Sequence, residues 1–429
     1  MFRTEQMETL MSAGQQGDLT HETIPPQGRQ HTAQPRPDTP QDDQPPRPHR
    51  RDAALTGQST TPDDQTPYTP QSLERDINHL YPALPHPRTT RDLLPPAEAE
   101  NLLPETERRL QERLHATLVA PVRQTVDHGG RLWRPVLAAT VVDALGADSL
   151  SYGPLWASCE LLHTGSLIID DIQDEAPLRR GRPCAHLVHG TATAINAGTA
   201  AYFAFDRAIR QTLPENPRLR TAVYETYLSA LRAAHAGQAL DLQGHQEEMT
   251  AALETGDTSV LKQLVTLTHR LKSGAPVAAA FRIAALVAAA DTAQCDALAA
   301  LGEAVGTAYQ ITDDVADLHG VRRQNAVTKR VAEDLLNAKV TYPLVHAIAC
   351  LPRDEAHRLW HQVRSGLDPD GAARAAHRIA DCGALDVCVE EADLMVRKAW
   401  ETASALLPPS SSAVALGRLC TQALRTRIA

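Results

Sequence analysis

"GSLIIDDIQDE", residues 165–175, runs an apolar block straight into Asp170 and Asp171, with Asp174 following. If the stretch is helical, Asp170 and Asp174 lie one turn apart and face the same way. Carboxylates at that spacing repel, and an apolar approach is not the setting of a solvated acidic face. Their charge has to be met by raised pKa values or by cations.

Behind a second apolar run, "YQITDDVAD" (residues 309–317) repeats the spacing with Asp313, Asp314 and Asp317. Elsewhere the pairs Asp42–Asp43 and Asp63–Asp64 sit among Pro and Gln, where solvation alone accounts for them. The two DDxxD runs read instead as ligands for a hard divalent cation such as Mg2+, which prefers carboxylate oxygens and leaves positions open for substrate phosphates. Arginines follow at once: "DEAPLRRGRPCAH" supplies Arg179, Arg180 and Arg182, and upstream "GGRLWRP" supplies Arg131 and Arg134 after two glycines. Guanidinium forks match phosphate oxygens in pairs, and a Gly-Gly loop lets backbone approach an anion closely. Either arginine group alone reads equally well as surface ion pairs.

Composition sets the frame. From about residue 97 onward Ala and Leu dominate and apolar residues recur at threes and fours, as in "GALDVCVEEADLMVRKAWETASALL" (residues 383–407). Strand-like alternation is absent and aromatics make up only 4% of the chain, which predicts an all-α fold, a large single-domain helical bundle. Before residue 90 the chain is rich in Pro, Gln, Asp and Arg, as in residues 25–70, with too few large aliphatic residues to repay ordering. Residues 1–90 therefore read as a disordered Pro-rich extension and residues 91–429 as the folded domain. The net charge of -10 argues against a nucleic-acid partner. The seven cysteines form no CxxC pair, no signal peptide is evident and no apolar stretch is long enough to span a bilayer, so a reducing, cytoplasmic setting is expected.

Motifs, order and spacing together resemble the all-trans isoprenyl diphosphate synthase, or polyprenyl synthetase, family over roughly residues 97–429. "DDIQD" with "LRRGRP" is similar to its first aspartate-rich motif, and "YQITDD" to its second, with Tyr309 as the aromatic. The Gly-Gly loop with Arg131 and Arg134 is similar to the family's isopentenyl diphosphate site, with arginine where lysine is common, and His163 falls on another contact position. "GQALD" supplies Gln238 and Asp241, and "LKSG" supplies Lys272 and Ser273, where Lys-Thr is usual. "TKRVAEDLLNAKVTYP" (residues 328–343) retains Lys329, Asp334 and Lys339, but Thr328, Ala332 and Ala338 replace the family's glycines, which implies a stiffer loop.

The resemblance implies a bundle with a central cavity, where magnesium, three ions with substrate bound, helps ionise an allylic diphosphate that isopentenyl diphosphate then attacks. Asp170, Asp174 and Asp313 would be direct ligands, with Asp171, Asp314 and Asp317 as further ligands or acceptors of metal-bound water. Arg179, Lys272 and Lys329 would hold the allylic diphosphate, and Arg131, Arg134, His163 and Arg180 isopentenyl diphosphate. Ser273 and Gln310 would steady the cation, and Gln238, Asp241 and Lys339 complete the site. Gly165 and Ser166, five and four residues before Asp170, would leave room for a growing hydrocarbon tail, with Leu162 the next bulky side chain. A product of about twenty carbons or longer is expected, geranylgeranyl diphosphate favoured. Homodimerisation is implied by resemblance. The rivals are a class I terpene cyclase, which binds no second isoprenoid diphosphate, and a non-catalytic subunit of a heteromeric synthase.

Overall fold

The computed structural model describes residues 67–94, 102–130, 132–213, 215–319, 321–323, 326–329 and 331–428. The helices that build and brace the site are α1 (Pro70–Leu80), α2 (Ala120–Asp127), α3 (Trp133–Ala144), α4 (Gly153–Gln173), α5 (Thr191–Ala200), α6 (Pro217–Gln243), α7 (Ser259–His269), α8 (Ala275–Val287), α9 (Thr292–His319), α10 (Tyr342–Cys350) and α11 (Ala384–Ser404). The all-α expectation holds, with two small exceptions among the described residues. A hairpin of β1 (Leu178–Arg179) and β2 (Arg182–Pro183) follows α4, and a second, of β3 (Val321–Arg323) and β4 (Ala326–Lys329), follows α9. Strands of two to four residues are too short to show an alternating pattern.

Helix α9 carries the second aspartate motif and is buried along most of its length, because Ala and Gly on it let α8 and α11 pack closely. Helix α4 carries the first motif and packs against α1, α3 and α5. No helix among the described residues is long and apolar enough to cross a membrane.

The expected boundary at residue 90 is corrected. Thr69 caps α1 by accepting the Ser72 N–H at 3.2 Å, Pro70 opens the helix, and Leu73, Ile77 and Leu80 are buried. Tyr68 donates to Asp76 at 3.0 Å, and that carboxylate occupies the place where a Cβ on Gly153 would stand, so α1 locks onto the start of α4. The composition of residues 25–70 hid this element because its apolar residues are only the three on one face and the cap lies inside the Pro-rich run. Residues 1–66 of the expected extension lie outside the described residues.

Leu73→Ala in the full chain should cost about 2–5 kcal/mol in denaturant unfolding, the penalty of a truncated core leucine. A loss under about 0.5 kcal/mol, as at an exposed position, would mean that α1 does not pack.

Candidate active site

At the C-terminal end of α4, Asp170 accepts the Gln238 side-chain amide at 3.0 Å and the Lys272 ammonium at 3.2 Å. Lys272 also reaches Asp241 at 2.7 Å, and Lys339 reaches the same Asp241 oxygen at 2.9 Å. Local backbone explains how these groups meet. Lys272 and Ser273 lie in a wide turn between α7 and α8 in which the Ala275 N–H bonds back five residues to the Arg270 carbonyl. Gly237 on α6 faces this turn so closely that a Cβ there would stand 2.3 Å from the Lys272 nitrogen. That approach carries Gln238 and Asp241 to Lys272. Burial pushes the Asp241 carboxyl up, but Lys339 and Lys272 outweigh it and hold it down to about 2. Both lysines are held above the usual ammonium value, because their carboxylate partners overcome burial.

The six aspartates divide by surroundings. Asp171 is buried and bound by Arg179, whose Nε donates at 2.7 Å. Asp314 is buried and receives His269 Nε2 at 3.3 Å, the Tyr342 N–H at 3.0 Å and the Gln310 amide at 3.2 Å. Asp317 is buried and receives the Asp334 N–H at 3.1 Å, while its carbonyl receives the Ala332 N–H at 2.8 Å. Thus Asp171, Asp314 and Asp317 are committed to protein donors. Asp170, Asp174 and Asp313 retain solvent access. Partial burial and the neighbouring Asp170 push the Asp174 carboxyl up to about 6, more than Lys339 and Lys272 pull it down.

Asp317 also shows how the chain tolerates its missing glycines. Ala332 and Ala338 sit at φ 56° and 53°, the left-handed region where glycine is favoured. The bonds to Asp317 hold the first of these turns, and Lys339 still reaches Asp241. Position 328 lies in β4, an extended conformation with no need of glycine. The structure describes the backbone of Lys329 but not its side chain, and Arg131 lies outside the described residues.

A second cationic cluster lies beside the first aspartate helix. Arg134 stacks on Trp133, 4.4 Å from the ring centroid, and on Tyr309 at 5.2 Å, with Nη1 3.3 Å from His163 Nε2. Burial, then Arg134, Arg180 and Arg179, push the His163 imidazole well below its ordinary pKa, so it stands neutral. The β1–β2 turn sorts the two arginines. Arg180 and Gly181 both have positive φ, 56° and 76°, as a two-residue hairpin loop requires, so consecutive arginines diverge. Arg179 turns to Asp171, and Arg180 donates to the Thr125 carbonyl at 3.1 Å, filling the space a side chain at Gly130 would need.

Glu160, 2% exposed, is a residue that the sequence reading missed. Burial raises its pKa while Arg180 and Arg134 pull it down, which places it against the same arginines. A lone charge in the apolar run "WASCELLHTG" was the signal. Glu391, on α11, was missed too. It accepts Lys262 at 2.6 Å and the Tyr342 hydroxyl at 2.6 Å, behind Asp314. Ser273 donates to Gln310 at 2.8 Å, which joins those two expected partners.

Residues 115–376 match the family model for polyprenyl synthetase. The chain belongs to the polyprenyl synthetase family. It is 32% identical over 277 residues to the farnesyl diphosphate synthase of Geobacillus stearothermophilus, covering 62% of this chain and 89% of that one. It is 31% identical over 254 residues to the geranylgeranyl pyrophosphate synthase ltmG of Epichloe festucae, covering 59% and 69%. A polyprenyl synthase from Caulobacter crescentus, solved with calcium and isoprenyl diphosphate, superposes with a TM-score of 0.64 at 25% identity, over 83% of this chain and 95% of that one.

Within this polyprenyl synthetase, the expectation that Gly165 leaves room for a tail is corrected. A Cβ at Gly165 would stand 2.4 Å from the Gly198 carbonyl and 2.9 Å from the Ala201 Cβ, so this glycine lets α4 and α5 touch. Sequence spacing gave its depth on the helix but not its facing. Ser166, whose hydroxyl donates to the His163 carbonyl at 2.8 Å, and Leu162 are half-buried. Gly165→Ala should therefore destabilise the fold by about 1–3 kcal/mol in thermal or denaturant unfolding, the cost of overpacking. Unchanged stability would mean that the face is open.

Proposed function

We propose that the protein condenses an allylic diphosphate with isopentenyl diphosphate to give an all-trans prenyl diphosphate and pyrophosphate. The observation that carries this reading is the presence of two separate cationic groups beside the aspartates that are not fully buried. One is the Lys272–Asp241–Lys339 group touching Asp170, and the other is the Arg134–His163–Arg180 cluster. A cyclase, which takes one diphosphate, has no use for the second. Family membership and the names of the relatives support the same chemistry, and nothing in the site favours a non-catalytic subunit.

Magnesium fits the donor set. Asp170, Asp174 and Asp313 offer hard carboxylate oxygens on residues that keep some solvent access, with Asp174 one helical turn from Asp170. These three would hold the ions. When bound, magnesium supplies positive charge that stabilises the departing diphosphate. Lys272 and Lys339, fixed by Asp241, present ammonium groups to the same leaving group, and Lys329 is assigned to it by position in the motif. Arg179 stays within 3.9 Å of Asp170 while neutralising Asp171. Arg134, Arg180 and neutral His163, with Arg131, hold isopentenyl diphosphate as a second, immobile polyanion. The allylic C–O bond breaks with its electron pair leaving on pyrophosphate, the isopentenyl double bond forms the new C–C bond, and a proton passes from the adjacent carbon to pyrophosphate. Gln310, held between Ser273 and Asp314, is assigned by its motif to steady the positive charge without trapping it.

Geranylgeranyl diphosphate is the favoured product, supported by the small Ser166 and by relatives named for farnesyl, geranylgeranyl and geranylfarnesyl products. We also infer a homodimer, as the family resemblance implies; Leu187 (58%), Ile195 (44%), Phe203 (75%) and Leu228 (49%) are exposed apolar side chains of the kind that a second copy covers.

Asp170→Ala and Asp313→Ala should each lower turnover at saturating magnesium by at least about a hundredfold, while circular dichroism stays unchanged. Near-normal rates in either would contradict the assignment. Arg134→Ala should raise KM for isopentenyl diphosphate by at least about tenfold and leave KM for the allylic substrate within about twofold. Equal effects on both, or product formed from the allylic substrate alone, would favour a cyclase.

A further inference from the structure

Asp314 is gripped by the ends of two helices, and both helices are tied to one carboxylate that the reaction does not use. His269, the last residue of α7, places Nε2 3.3 Å from Asp314 Oδ2, and Tyr342, the first residue of α10, donates its backbone N–H to the same oxygen at 3.0 Å. The first turn of a helix has N–H groups without intrahelical partners, and the side chain of the preceding residue commonly takes one of them. Thr341 precedes α10, but its side chain makes no such bond. A carboxylate from α9 takes one of these donors instead, where the positive end of the helix dipole favours it.

The same two helices meet again at Glu391 of α11. Its Oε1 accepts the Lys262 ammonium at 2.6 Å, and its Oε2 accepts the Tyr342 hydroxyl at 2.6 Å, with His346 Nε2 3.2 Å away. Lys262 and His269 are seven residues apart on α7, about two turns, and Tyr342 and His346 are four apart on α10, so in each helix the two residues share a face. The rings gather there: the Tyr342 centroid lies 5.0 Å from that of His346 and 5.9 Å from that of His269, and Lys262 Nζ stands 5.7 Å from the Tyr342 ring. Each oxygen of Glu391 thus serves a different helix, Oε1 for α7 and Oε2 for α10. Burial pushes the Glu391 carboxyl up, but Lys262 and Tyr342 outweigh it and hold it below its ordinary value, so it stays charged.

We propose that Glu391 is a positioning residue for the second aspartate motif: by joining Lys262 to Tyr342 it fixes α7 and α10, whose ends hold Asp314 and with it the turn of α9 that carries Asp313. The inference rests on the reading of that motif as a holder of magnesium. Without Glu391 the Lys262 ammonium and the Tyr342 hydroxyl lose their shared acceptor, the first turn of α10 loosens, and the N–H bond to Asp314 opens more often. A metal ligand on the neighbouring residue is then carried by a looser turn, and metal affinity falls as it does when the groups that orient a ligand are removed.

The test begins on the full-length, metal-free protein, with amide hydrogen exchange resolved at Tyr342. Glu391→Ala should speed exchange there by at least about tenfold and leave α4 at the wild-type rate. With isopentenyl and allylic diphosphates, the same variant should raise the magnesium concentration for half-maximal rate by at least about fivefold and leave KM for isopentenyl diphosphate within about twofold. Tyr342→Phe should act in the same direction, and the double variant should add less than the sum of the two, because one link is broken twice. Glu391→Gln, which keeps an oxygen for Tyr342 but no charge for Lys262, decides the matter if the alanine variant does not fold, and should show both effects more weakly. Unchanged exchange at Tyr342, faster exchange in α4 as well, an unchanged magnesium requirement, or an equal rise in KM for isopentenyl diphosphate overturns the inference and leaves the metal reading intact. A wild-type rate that does not depend on magnesium overturns that reading, and this inference with it.

Discussion

Four alternating charges, Asp170, Lys272, Asp241 and Lys339, hold the site together. They come from α4, the wide turn after α7, α6 and the loop before α10, and no two are near in sequence. Each carboxylate is tolerable because an ammonium group lies within hydrogen-bond distance, and each ammonium stays charged for the same reason. The row ends unbalanced. At one end the Asp174 carboxyl is pushed up to about 6, first by partial burial and then by the neighbouring Asp170 carboxylate, more than Lys339 and Lys272 pull it down. A site with surplus negative charge at its mouth and fixed positive charge behind it is suited to bring metal and diphosphate together, since each neutralises what the protein leaves exposed.

The second aspartate motif depends on a different brace. Asp314 is fixed by His269 and by the Tyr342 backbone, and the Tyr342 hydroxyl is tied to Glu391, which also takes Lys262 and lies 3.2 Å from His346. One carboxylate on α11 thereby joins α7, α10 and, through Tyr342, α9. The arrangement keeps Asp314 buried, while the adjacent Asp313 is half-buried. In both motifs, then, part of the acidic run is spent on holding the protein's own groups and part remains for ligand. The two DDxxD runs are not six equivalent ligands but a division of labour set by which face of each helix is buried.

That division also marks how far the sequence could be read. Helical periodicity was enough for the all-α fold, while the grouping of Asp170 with Gln238, Asp241, Lys272 and Lys339 came from the family resemblance, whose motifs are local and chemically distinctive. Side-chain facing was not legible. Gly165 has the same spacing whether it opens a cavity or permits a helix contact, and only the position of α5 decides. Helix α1 escaped notice because three buried residues, Leu73, Ile77 and Leu80, carry it against a polar background. Glu160 and Glu391 were missed for another reason: neither belongs to a recurring motif, and the partners that define them lie on other elements. Ala332 and Ala338 adopt the backbone that glycine would, so residue type misjudged a conformation that tertiary bonds enforce.

The account's central claim is that one chain holds two diphosphates at distinct sites, one dependent on metal and one not. Calorimetric titration of the full-length protein with isopentenyl diphosphate and with a non-ionisable allylic thiolodiphosphate, each with and without magnesium, tests this directly. The account predicts that isopentenyl diphosphate binds at one site per chain in the absence of metal and is weakened by Arg134→Ala. The allylic analogue should bind appreciably only with magnesium and be weakened by Asp170→Ala. Competition between the two ligands for a single site, or the same magnesium requirement for both, would contradict it.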